Sequence, residues 1–168
     1  MVEIQQLQSG DLEKVQAALE VAREKGDIRW VRPMLEAFRD APSQAIQEGI
    51  GEVLGTLKIS EAADVFLDAL GDPEYAGTEA DIIGFMWNTG LTPEEGLLSV
   101  VEVGTSGDFR NAVEALTWAE QLDGVHDEHK LLESILLVRG ALDDPEKTEI
   151  HSLMQPLLEV LQAFERAQ

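Results

Sequence analysis

The sequence predicts an all-α chain built from stacked helix pairs, and three observations carry that prediction. Apolar residues recur at helical spacing in segment after segment, divided by Gly, Pro, Asn and Asp. No stretch reads as a convincing strand; residues 97–103 tolerate β structure, but their place in the pattern requires a helix. Finally, blocks repeat. Phe66-Leu67-Asp68-Ala69-Leu70-Gly71-Asp72 lies over Met34-Leu35-Glu36-Ala37-Phe38-Arg39-Asp40 at an offset of 32 residues. Leu97-Leu98-Ser99-Val100-Val101 follows 31 residues later, and Pro156-Leu157-Leu158-Glu159-Val160-Leu161 echoes Pro33-Met34-Leu35-Glu36-Ala37-Phe38 at an offset of 123. A helix pair cannot bury its apolar stripe alone, so repeated pairs stack and share a core.

The first helix is predicted over 10–25, where Leu12, Val15, Ala18, Leu19 and Ala22 share a face. Ser9 or Asp11 caps it, and Gly26 ends it in a left-handed conformation. A second helix starts near Asp27, with Ile28, Val31, Leu35 and Phe38 as its stripe. Pro33 removes an amide donor, which a first turn tolerates, so a tight start at Val31 is expected. A third starts after Pro42-Ser43 and runs to Leu57, with Ile46, Ile50, Val53 and Leu54 inward. Its Gly49, Gly51 and Gly55 have no strand before them, so close helix approach explains them better than a phosphate loop. Ser60 caps a fourth helix over 60–70.

After a turn over 72–77, the helix over 78–88 carries Ile82, Ile83, Phe85 and Met86. The next opens on Thr92-Pro93-Glu94-Glu95, which reads as a capping box with Pro at the first helical position. Acids are favoured at a helix N-terminus, so capping accounts for that carboxylate pair better than acid–base catalysis. Over 108–121, Phe109, Ala112, Val113, Ala115, Leu116, Trp118 and Ala119 cover most of the circumference, as in a buried helix. Leu131, Leu132, Ile135, Leu136 and Val138 form the stripe over 127–141. The last helix follows Asp144-Pro145 and reaches Arg166, with a kink expected at Pro156. Its Gln155, Glu159, Gln162 and Glu165 suit a terminal cap facing water.

A helix, a Leu-Gly end, a short turn, then a helix closing on an apolar-acid-Ala-apolar block and Asp resembles HEAT and armadillo-like repeats, most clearly over 9–72. Gly10-Asp11, Gly26-Asp27, Gly71-Asp72 and Gly107-Asp108 look like the Gly-Asp breaks those repeats place between helices. The resemblance implies one domain over 1–168, a short right-handed α-solenoid of about four helix pairs plus a C-terminal capping helix. It also implies that the second helix of each pair lines a concave face. Those helices offer Arg29, Trp30 and Arg32, then Asp64 and Asp68, then Glu95, Ser99 and Glu102. Such a groove begins basic and turns acidic; a merely solvated face is the plainer alternative.

Charge narrows the function. Twelve Lys and Arg stand against thirty-three Asp and Glu, for a formal net charge of −21. Residues 59–109 hold eleven acids and no Lys or Arg. Phosphate binding depends on cations, so no nucleic-acid partner is expected, and a basic protein surface is the natural counterpart. Acidity that merely keeps the chain dispersed, or suits a salty habitat, is the alternative. The chain has no cysteine, which excludes disulfides and thiolate metal sites and suits a reducing cytoplasm. No secretory signal or membrane span is visible.

Chemical motifs are sparse. His126-Asp127-Glu128-His129 could present two imidazoles on one helix face to a metal, but the spacing is not HExxH and acids there serve as caps. His151 reads as an ordinary helix-surface residue, and no Ser sits in a nucleophile turn. Trp30, Trp87 and Trp118 are packing residues or partner contacts. The expected function is a non-catalytic scaffold without cofactor or metal, binding a basic protein partner through an acidic groove. One alternative is an acidic inhibitor or immunity-type protein masking a basic enzyme site such as a nuclease. A HEAT-like enzyme resembling bilin lyases, or a metal-binding protein, is another; the glycosylase-like members need a cationic groove that 59–109 does not provide.

Overall fold

Carboxylates set against free amides fix many of the helix starts in the computed structural model, which describes residues 2–168. In chain order its helices are α1 (Val2–Gln6), α2 (Leu12–Lys25), α3 (Ile28–Arg39), α4 (Gln44–Leu54), α5 (Ala62–Leu70), α6 (Glu79–Asn88), α7 (Leu97–Gly104), α8 (Phe109–Glu120), α9 (Glu128–Asp143) and α10 (His151–Arg166). Short 3-10 turns occupy Pro73–Tyr75, Glu94–Gly96 and Pro145–Ile150. Among the described residues there is no strand, so the chain is all-α.

All four Gly-Asp breaks place their Asp as an N-cap. The Asp11 side chain accepts from the Glu13 and Lys14 amides at 3.0 and 3.4 Å, and that of Asp27 from Arg29 at 2.9 Å. Asp72 accepts from Glu74 at 2.9 Å and Asp108 from Asn111 at 2.9 Å. Asp127 and Asp144 do the same for α9 and the last 3-10 turn, and Ser43 for α4. Each satisfies an amide the helix leaves unpaired and places negative charge at the positive end of the dipole. Thr89 and Thr105 finish α6 and α7 from the other end, their hydroxyls donating to carbonyls of the last turn. The glycines do two different jobs. Gly10 and Gly107 adopt positive φ, 74° and 113°. Gly26 does not, contrary to expectation; its φ is −66°. It is glycine for room, because a Cβ there would lie 2.2 Å from the Ala22 carbonyl oxygen.

The chain divides into two compact units, the first ending at Val65 and the second running from Phe66 to Gln168. In the first, α1 packs on α2, and α2 and α3 both pack on α4. Val15, Leu19, Val31, Leu35, Phe38, Ile50 and Leu54 are buried in its core. The unexpected α1 is a single turn and a half whose chain leads to the buried Leu7. α3 begins at Ile28 rather than Val31, because Asp27 fixes the start; Pro33 is carried inside the helix at the loss of one backbone bond.

In the second unit α6 packs on α8, α7 on α8 and α9, and α10 on both α8 and α9. Trp87 Nε1 donates to Glu114 at 2.6 Å and Arg110 pairs with Asp81, tying α6 to α8. The Phe66 and Phe85 rings pack with centroids 6.2 Å apart. α7 and α8 approach so closely at Gly104 that a Cβ there would lie 2.5 Å from the Ala115 Cβ. That contact, rather than Gly49 at 3.6 Å from Leu19, is the close helix approach by glycine. The tight sequential pairs are α3–α4, α7–α8 and α9–α10. They are one helix out of step with the pairs the repeat pattern indicates. α8 buries Ala112, Ala115, Trp118 and Ala119 and leaves no residue from 111 to 119 exposed, close to the broad burial its sequence indicates; Phe109, at its start, is the departure, 47% exposed. α10 runs without interruption past Pro156; the irregular backbone is at Lys147, in the 3-10 turn before it.

Candidate partner-binding site

α7 and α9 lie against each other, and their outer faces build the site. On α9, Leu131, Ser134, Ile135, Val138 and Ala141 turn inward. With that face inward, the roughly 100° step between neighbours turns Leu132 of the first leucine pair, and both leucines of the second, outward. Leu132 is 48%, Leu136 65% and Leu137 36% exposed. On α7, Leu97, Val100 and Val101 are buried, which leaves Leu98 half-buried and Ser99 and Glu102 exposed. Leu98, Leu136, Leu137, Glu102 and Glu133 line a shallow groove of about 330 Å³. Its surface is leucine, and its edge carries carboxylates.

The N-terminal ends of the two helices are clasped. Glu94 Oε2 accepts from the His126 backbone amide at 2.7 Å, and Oε1 from the ring Nδ1–H at 2.8 Å. Those bonds, the ring first and the amide second, hold the Glu94 carboxyl below the ordinary glutamate range. Lys130 Nζ donates to the Glu95 carbonyl at 3.1 Å. The expected capping box is therefore not formed. Pro93 is extended, with φ −69° and ψ 132°, and α7 begins only at Leu97 after a 3-10 turn. Glu94 instead satisfies an amide 32 residues along the chain.

His126 and His151 find protein partners. His126 is bound to Glu94, and among the described residues no group of three His, Asp or Glu gathers around a metal-sized point. His151 is half-buried, correcting its placement on the surface. Its Nε2 lies 2.9 Å from the Ala141 carbonyl and 3.1 Å from that of Asp144, so this nitrogen carries the proton and closes the end of α9.

The eight residues singled out in sequence do not share one environment. Arg29 grips its neighbour Asp27 at 2.7 Å, an exposed pair that raises the guanidinium and lowers the carboxyl pKa. Arg32 is half-buried. Trp30 is 2% exposed, so it is core and not a partner contact; α3 buries Trp30, Met34 and Ala37 with Val31, Leu35 and Phe38, while Ile28 of the expected stripe is 38% exposed. Asp64 and Asp68 are exposed on α5. Ser99 and Glu102 are exposed on α7, and Glu95 is exposed in the 3-10 turn before it; of the three, Glu102 lines the groove. Glu133 and the outward leucines of α9 were missed, although the runs Leu131-Leu132 and Leu136-Leu137 held the signal: one stripe cannot take both members.

No family model matches the chain, and no curated protein or solved structure shows a significant match to it. Among the described residues, no helix is long and apolar enough to cross a membrane.

Proposed function

We propose that this chain is a non-catalytic interaction module, a short right-handed solenoid of the HEAT-like kind, that binds a basic protein partner through the α7–α9 face. The observation that carries the reading is the row of exposed leucines on α9 beside Glu102 and Glu133. Packing does not require leucine at positions that stand this far out of the core, and contiguous apolar surface with a polar rim marks association sites. The packing order in the second unit supports the solenoid part: α6, α8 and α10 form one row, and α7 with α9 another. The absence of cysteine suits a cytoplasmic setting. Affinity capture with the whole chain tests the binding. Basic proteins retained by the wild type should be lost with Glu102→Lys/Glu133→Lys and at high salt. Equal recovery on the variant would overturn the reading.

A further inference from the structure

We infer that the α7–α9 groove receives one face of an amphipathic helix whose flank carries Lys or Arg; this rests on the binding reading above and names its ligand class. The surface dictates the shape. Glu133 and Leu137 are one turn apart on α9, as are Leu98 and Glu102 on α7; with Leu136 beside them, all five line the groove. Two adjacent helices with side chains at one-turn spacing present ridges and a furrow, and a third helix fits into such a furrow with its own i, i+4 row. The exposed leucines supply the apolar contact.

Charge dictates the flank. Glu102 and Glu133 line the strip, and the Lys130 ammonium is engaged with the Glu95 carbonyl. Arg139 stands one turn beyond Leu136, so the cations of the incoming helix belong beside Glu102 and Glu133 rather than at that end. A second copy of the chain is the poorer occupant, since acidic rims would meet and each copy carries −21.

The test uses the whole chain and two fluorescent model peptides of Leu and Lys, each about four turns long. One has leucines at i, i+3, i+4 and i+7; the other has the same composition in an order that gives no apolar face. Anisotropy titration at low and moderate salt should show the first binding about tenfold tighter. Leu136→Asp, at an exposed position, should erase that preference while circular dichroism stays unchanged, and Glu102→Lys/Glu133→Lys should weaken both peptides. If both peptides bind wild type equally, or Leu136→Asp keeps the preference, the helix inference is overturned and the basic-partner reading stands. If neither peptide binds at low salt, the basic-partner reading falls as well. Sedimentation that shows a wild-type dimer abolished by Leu136→Asp would assign the face to a second copy and overturn the inference by another route.

Discussion

Gly104→Ala places one methyl group where α7 and α8 have no space for it. In an ordinary helix the change stabilises by roughly 0.5–1 kcal/mol, because alanine loses less freedom on folding. Here the new Cβ would lie 2.5 Å from the Ala115 Cβ. Carbon atoms prefer about 3.5–4.0 Å, so the helices must part by more than an ångström. Overpacking of that kind costs about 1–3 kcal/mol, leaving a net loss of about 1–2 kcal/mol. For a unit of this size the midpoint should fall by about 4–8 °C per kcal/mol. Gly140 is the internal control, being on the exposed side of α9 with nothing within 4 Å of its would-be Cβ. Gly140→Ala should therefore stabilise by about 0.5–1 kcal/mol. Ala115→Gly added to Gly104→Ala should recover part of the loss, with a coupling of about 1–2 kcal/mol. Urea unfolding followed by circular dichroism reads these variants, the Ala115→Gly single variant that closes the cycle, and the wild type. Equal stabilisation by Gly104→Ala and Gly140→Ala would falsify the close approach of α7 and α8.

Three further outcomes are expected. Gly26→Ala should cost about 1–3 kcal/mol in the same assay, since its Cβ would collide with the rigid Ala22 carbonyl rather than with a movable side chain. Asp108→Ala should cost about 1 kcal/mol by loss of the α8 cap, although it reduces the net negative charge; stabilisation would mean that repulsion outweighs capping. Glu94 has its carboxyl pKa lowered on folding, so its contribution is complete above the unfolded value and fades as pH falls through the folded one. Thermal midpoints of wild type and Glu94→Gln should differ at neutral pH and converge in acid below about pH 4.5. A gap that stays constant down to pH 2 would remove the Glu94–His126 clasp from the account.

Local chemistry made the helices legible. Asp11, Asp27, Asp108 and Asp127 each act within three residues, so their roles can be read from neighbours in the chain. What depended on distant partners could not be read. Glu94 looks like a cap for the helix that follows it, and only the fold brings His126 to it. The pairing of α7 with α8 rather than with α6 depends on Gly104 meeting Ala115, a match invisible to periodicity. Trp30 sits off the narrow stripe drawn from Ile28 and Val31, yet the core reaches around α3 to cover it. The leucine pairs of α9 gave half of the site. They show that at least one leucine of each pair faces out, but not that both Leu136 and Leu137 do so, nor that α7 would set Leu98 and Glu102 beside them.

The Asp caps have a consequence for how this chain can be cut and rejoined. Each makes its bond two or three positions ahead, inside the segment it begins. A helix moved to another point in the chain, or into a different protein, takes its own start signal along. Reordering these segments should therefore disturb the seams between helices and spare the frame in which each one winds.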